Sequence, residues 1–316
     1  MEHLNTLNRH LKIDSLPQLS ATTKAMLVLF VAIIIWGGNW PVMKAGLDHI
    51  TPLWFSMIRF ALGAATLFAF QISTKKLYIP RRSDLPLILS IGLVQMMIFT
   101  ALGAMAMTQV AAGRSAVLAY TTPLWVLPLS IILFHETPSK QQIIATLLGL
   151  SGVIALFNPF SFDWHNSSLL FANGMLLLAA FCWSICILHL RHTRSKATAF
   201  QLAPWQMLIA TLPLIVLAYA FEGPFTGNGS LAFWQICLYL GPLATAFCFC
   251  AVNDASRVLA GATMSTAILG VPVIGLLFST WFLNEPLTLS LISGTALISG
   301  GIFFLIMSAN RRDTQS

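Results

Sequence analysis

Apolar runs of about twenty residues dominate the chain, and they leave few folds open to it. Ten of them fall at approximately 25–46, 51–73, 84–106, 112–134, 139–158, 168–190, 199–221, 231–253, 259–283 and 287–308. Each is close to the ~20 residues that a helix rising ~1.5 Å per residue needs to cross ~30 Å of hydrocarbon. Backbone groups in lipid must bond within their own segment, so the runs are expected to be helices. The alternating pattern of barrel strands is not seen. Of 316 residues, 57% are hydrophobic and 9% charged. A soluble domain carries roughly 25% charged residues, so this chain has too little polar surface to be solvated mainly by water. The predicted fold class is an all-α integral membrane protein with ten transmembrane helices.

The loops set an orientation. All but three of the 17 Lys and Arg residues lie before the first run, after the tenth, or within or at the edge of the loops after the even-numbered runs. The exceptions are Lys44, Arg59 and Arg114. Positively charged loops stay on the cytoplasmic side, so both termini are predicted to be cytoplasmic, in an inner (plasma) membrane of bacterial type. The formal net charge of +7 is spread over these loops rather than gathered in one patch, which argues against nucleic acid as a partner. The expected partners are the lipid bilayer and a small-molecule substrate. A monomer is compatible with the pattern, which does not fix the oligomeric state. Residues 1–24 lack the features of a signal peptide and read as a cytoplasmic tail, with a short interfacial turn around Leu4–Ile13.

The chain also repeats itself. Val110-Ala111-Ala112-Gly113 opens an apolar stretch that holds Pro123, reaches Glu136 and closes near Gly152. Without a gap, Ala111 falls on Ala260, Pro123 on Pro272, Glu136 on Glu285 and Gly152 on Gly301. The expected division is a tail at 1–24, a first five-helix repeat at 25–158, an external linker at 159–167, a second repeat at 168–308 and a cytoplasmic tail at 309–316. Five is odd, so the second repeat must cross the membrane in the opposite sense. Two inverted repeats give two near-equivalent arrangements around a shared site, the basis of alternating access.

With these residues in view, the chain resembles the drug/metabolite transporter superfamily, EamA-like branch. The resemblance rests on Trp36-Gly37-Gly38-Asn39-Trp40-Pro41 followed by Lys44, on Pro52 with Arg59-Phe60, on the Pro123…Glu136 and Pro272…Glu285 patterns, and on Gly174 with Ala180 and Trp183. It covers residues 25–308 and implies a carrier of small metabolites such as amino acids, nucleotides, sugars, quaternary ammonium compounds or drugs.

Charge and polarity inside the bilayer are costly and mark function or a partner. Arg59 lies about 12 Å into its helix by the ~1.5 Å rise, and no Asp or Glu occurs at similar depth. It either ties helices together or holds a substrate carboxylate or phosphate. Trp36, Asn39 and Trp40 share one helix face, with Gly37 and Gly38 permitting close approach and Pro41 freeing a carbonyl one turn back. An ordinary packing face competes with a cargo site there. Gln95, Tyr120, Trp183 and Gln206, the counterpart of Arg59, complete the cavity candidates. His189 reads as interfacial. Pro123 and Pro272 are expected to kink their helices at a moving interface. Glu136 and Glu285 are read as caps on the helices they precede, or as gate contacts.

No catalytic residues, metal-ligand spacing, cofactor motif or phosphate-binding loop appears. The five cysteines sit in apolar runs as packing residues. A lipid-modifying membrane enzyme would need acidic or histidine clusters at a helix end, and these are missing. The best reading is a secondary transporter of small polar metabolites, most specifically an exporter of amino acids or related compounds. An importer or exchanger of nucleotide-like, quaternary ammonium or drug molecules is the alternative. Without a midplane carboxylate, facilitated diffusion or exchange is favoured over proton coupling.

Overall fold

A computed structural model of the chain describes residues 20–157, 165–193, 195–259 and 261–313, with backbone alone at 261–262, 265–266 and 305–313. The expected turn at Leu4–Ile13 and most of the 159–167 linker lie outside the described residues. We label the helices α1 (Ala21–Gly46), α2 (Pro52–Ser73), α3 (Arg82–Ala106), α4 (Ala112–Phe134), α5 (Lys140–Phe157), α6 (Ser167–His192), α7 (Ala199–Glu222), α8 (Leu231–Ala255), α9 (Gly261–Ile268 and Gly270–Leu283) and α10 (Leu289–Asp313). No strand occurs among the described residues. Seven of these helices, α1–α4 and α6–α8, are long and apolar enough to cross a membrane. The apolar parts of the other three, Lys140–Leu156, Gly270–Leu283 and Leu289–Phe304, are shorter. The outer surface carries large exposed apolar side chains, among them Ile132, Phe171, Val216, Phe221 and Trp281, as a body solvated by lipid requires.

Local chemistry sets the helix ends. Ser20, Asn166, Thr198 and Ser230 each accept from the backbone N–H three residues on, the N-cap bond of Ser, Thr and Asn. Thr198 and Gln201 form a reciprocal capping box, whereas α2 begins with Pro52 in its first turn, where the missing N–H has no helical partner to lose. The ends of α4 and α9 match: His135 and Asn284, 149 positions apart, both take the left-handed conformation, at φ 53° and 54°.

Two features depart from regular helices. Within α3, Ser90–Ile98 winds as a π-helix, and so does Tyr239–Phe247 within α8. The two stretches are equally long and again 149 positions apart. Both α4 and α9 are interrupted, α4 between Ala119 and Thr122 and α9 at Leu269. The expected mid-helix kinks at Pro123 and Pro272 are therefore breaks. Each proline sits in the first turn of the resumed helix, where its lost N–H costs little. Pro41 lies inside α1, which runs on without interruption.

The helices pack in matched pairs. The contacts α1–α9 and α1–α8 correspond to α6–α4 and α6–α3, and α2–α8 corresponds to α7–α3. Three contacts pair equivalent helices with each other: α2–α7, α4–α9 and α5–α10. The α5–α10 contact is close enough that backbones meet. A Cβ on Gly152 would lie 2.7 Å from the Ile298 nitrogen, and one on Gly301 would lie 2.8 Å from the Ala145 oxygen. Small residues are what allow helices to approach this far.

Candidate functional site

A cavity of about 280 Å³ lies among α1, α2, α3, α4, α6 and α8, with Ile268 of α9 at its edge. Seven of the eight cavity candidates named from the sequence form its wall: Trp36, Asn39, Trp40, Arg59, Gln95, Tyr120 and Trp183. The eighth does not. Gln206 is buried, and its backbone carbonyl packs against Gly92 on the π stretch of α3. Although Gln206 is the counterpart of Arg59, the α7–α3 contact fills the space that would have made it a wall residue. Pro41, Pro123 and Pro272 also lie outside the wall.

The π stretch of α8 positions the charged group. The Arg59 Nε donates to Thr245 Oγ1 at 2.7 Å, and Thr245 donates its own proton to the Leu240 carbonyl at 2.7 Å, five residues back. Arg59 Nη1 reaches the Met43 sulfur at 3.5 Å. Among the described residues Arg59 makes no ion pair. The same stretch anchors α1: Trp36 Nε1 donates to the Ala244 carbonyl at 2.8 Å, and the Tyr239 hydroxyl donates to the Ile35 carbonyl at 2.7 Å. π segments occur frequently at functional sites. Here one carries Gln95 and the other carries Thr245, both in the cavity wall.

Aromatic rings meet edge to face along the wall. Trp40 lies 6.5 Å from Tyr120, Tyr120 lies 5.7 Å from Trp183, and Trp183 lies 5.1 Å from Phe99, centroid to centroid. These separations fall in the favoured range for T-shaped pairs. Asn39 is only 7% exposed, and its Oδ1 has no hydrogen-bond partner among the described residues. Thr245, Asn253, Thr100 and Phe249 also line the cavity and were not singled out from the sequence. Single hydroxyl, amide or aromatic side chains in an apolar run carry no signal of the face they occupy. His189 bonds Ser90 Oγ at 2.7 Å and is not in the wall.

Two ionic clusters flank the cavity helices at equivalent positions. Lys44 and Arg191 each follow their tryptophan, Trp36 or Trp183, by eight residues. Lys44 Nζ donates to the carbonyls of Met107 and Val110 in the α3–α4 turn. Glu285 accepts from the backbone N–H groups of Ala112 and Gly113 at 2.6 and 2.9 Å. Glu285 therefore caps α4, more than 170 residues away, rather than the α10 helix that follows it. Its counterpart Glu136 lies 3.7 Å from Arg191, with both side chains partly exposed. A third acid, Glu222 at the end of α7, caps α2 through the N–H groups of Leu53 and Trp54 at 2.8 and 3.1 Å.

An apolar helical body around a small aromatic cavity with one cation in its wall is the form of a carrier, and comparison with known proteins gives it a family. The EamA-like transporter family matches residues 23–158 and 170–307. The chain is 30% identical over 294 residues to an uncharacterized transporter, YoaV, of Bacillus subtilis (strain 168), covering 92% of this chain and 99% of that one. It is 25% identical over 302 residues to a probable amino-acid metabolite efflux pump of Salmonella typhimurium, covering 90% and 95%. It is 24% identical over 293 residues to a probable terminal-alkyne amino-acid exporter of Streptantibioticus cattleyicolor, covering 92% and 94%. A solved crystal structure, 19% identical, matches 89% of this chain and 98% of its own with a TM-score of 0.63, which bears on the fold alone. The family accounts for the two matched stretches and the apolar helices together: this chain is a multi-pass membrane transporter, not an enzyme, and it belongs to the EamA-like transporter family of the drug/metabolite transporter superfamily.

Proposed function

We propose that the protein exports amino acids or related carboxylates across a bacterial inner membrane, by alternating access between two inverted five-helix repeats at 25–158 and 168–308. In this reading α1–α10 all span, both termini are cytoplasmic, and the 159–167 linker is external. The observation that carries the cargo assignment is Arg59, a cavity cation with no acidic partner among the described residues. A carboxylate gives a guanidinium the charge and the two-pronged acceptor it lacks. The amino-acid class is supported by the names of the Salmonella and Streptantibioticus relatives, and export is the direction those names share.

Alternating access is supported by the matched helix contacts, by the paired π stretches and by the unequal state of the two ionic clusters. Lys44 and Glu285, on the predicted outer side, hold the α3–α4 turn and the start of α4. Arg191 and Glu136, on the predicted inner side, hold each other. The cavity wall includes Leu190 and Asn253, near the inner ends of α6 and α8. This arrangement fits a carrier closed outside and open inside. The test is counterflow of radiolabelled amino acids in proteoliposomes. Arg59→Gln should abolish counterflow of any amino acid the wild type carries, at normal folded yield. Equal loss of transport and yield would make Arg59 structural and remove the carboxylate assignment.

A further inference from the structure

From the charge balance of the cavity we infer that its preferred ligand is a monoanionic carboxylate bearing a neutral hydrogen-bond donor on an apolar body, of which an N-acylated amino acid is the simplest member. This rests on the carboxylate reading above and narrows it: a free α-amino acid is the poorer ligand. Arg59 is the one wall residue charged at neutral pH among the described residues; no Asp, Glu, Lys or His joins it. A carboxylate on Arg59 neutralises the cavity. A zwitterion brings its ammonium as well, and the net charge returns to +1 in a space walled mainly by aromatic and aliphatic groups, with neutral polar side chains such as Gln95, Thr100 and Asn253 but no anion. A buried charge needs a counter-charge and hydrogen bonds. The aromatic faces return only part of an ammonium's hydration, and the nearby guanidinium opposes it.

The unpartnered acceptor points the same way. Asn39 is a wall residue over nine-tenths buried, and its Oδ1 has no donor among the described residues. An orphaned buried acceptor is costly until a donor reaches it. One neutral N–H, such as that of an acylated nitrogen, satisfies it. An ammonium would need acceptors for all three of its N–H bonds. The guanidinium also keeps capacity for the carboxylate. Its five donors meet two acceptors in the described residues, Thr245 Oγ1 and Met43 Sδ. A cavity of about 280 Å³ suits a small ligand, being at the lower end of the usual pocket range.

The test is thermal unfolding of the purified full-length protein in detergent, titrated with four ligands that share one body: N-acetyl-L-leucine, 4-methylpentanoate, L-leucine and L-leucinamide. Stabilisation by mass action gives each an apparent Kd. N-acetyl-L-leucine should bind at least ten-fold tighter than L-leucine, and L-leucinamide should give no shift. Asn39→Ala should remove most of the advantage that N-acetyl-L-leucine holds over 4-methylpentanoate. The wild-type series decides the matter even if a variant folds poorly. Leucine binding as tightly as its N-acetyl form would overturn the inference and leave the amino-acid transporter reading standing. No shift with any of the carboxylates would overturn both.

Discussion

The bond network at Glu285 makes a quantitative prediction. Its carboxylate takes two backbone N–H groups at the start of α4, at 2.6 and 2.9 Å. Ala112, one of the two donors, is fully buried. A hydrogen bond to a charged group contributes about 1.5–3 kcal/mol, and the positive end of a helix adds about 0.3–1 kcal/mol. Glu285 is itself partly exposed, so water screens the pair and the low end applies. Glu285→Ala should then cost the engaged arrangement about 2–3 kcal/mol, or about 30- to 150-fold in the equilibrium with a released one. The assay is labelling of Val110→Cys by a membrane-impermeant maleimide. Val110 is 2% exposed, and its carbonyl is held by Lys44, so the thiol reacts only when the α3–α4 turn lets go. Labelling should rise by that factor in the Glu285→Ala background and by less in Glu285→Gln, which keeps one acceptor. Glu222→Ala, which removes the cap on α2, serves as control and should leave labelling unchanged. Labelling that does not rise in Glu285→Ala, at normal folded yield, would refute the reasoning that this carboxylate holds the turn shut.

Two further outcomes are expected. Gly301→Leu should sharply reduce folded yield, because a Cβ there meets the Gly149 and Ala145 backbone of α5, whereas Gly300→Leu should be tolerated, since nothing lies within 4 Å of its Cβ position; size-exclusion profiles of the two variants check this. Collapsing the pH gradient in proteoliposomes should leave counterflow unchanged, because no Asp, Glu or His lines the cavity among the described residues; a dependence on the gradient would require a titrating group elsewhere.

Much of the fold can be read in the amino-acid order because lipid imposes it locally. Twenty apolar residues, a Ser or Thr before them and a loop after them are short-range signals, and the helices follow them closely. The wall residues Trp36, Asn39, Trp40, Arg59, Gln95, Tyr120 and Trp183 stand out because Arg, amide, Trp and Tyr side chains deep in apolar runs are far fewer than Phe and the aliphatics. Gln206 stood out by the same rule yet lies elsewhere, since the rule registers burial and not which neighbour does the burying. Glu285 shows a different limit. Proximity in sequence gives it to α10, and tertiary packing gives it to α4. Pro123 and Pro272 read as bends from their position within a run, and the break just ahead of each has no marker of its own. Thr245 was invisible for a related reason: its face depends on a change of helical winding that apolar composition does not record.

That change of winding has a consequence for how α3 and α8 tolerate length variation. Each π stretch accommodates an added residue within a helix that otherwise advances about 100° per position. Deleting a single residue from Ser90–Ile98 would then restore ordinary winding and leave Phe99, Thr100 and Gly103 facing the cavity. The same deletion in Tyr239–Phe247 would leave Phe249, Val252 and Asn253 in place. A one-residue gap in either stretch therefore changes length more than azimuth, and relatives aligned across such a gap keep the flanking positions turned toward their cargo.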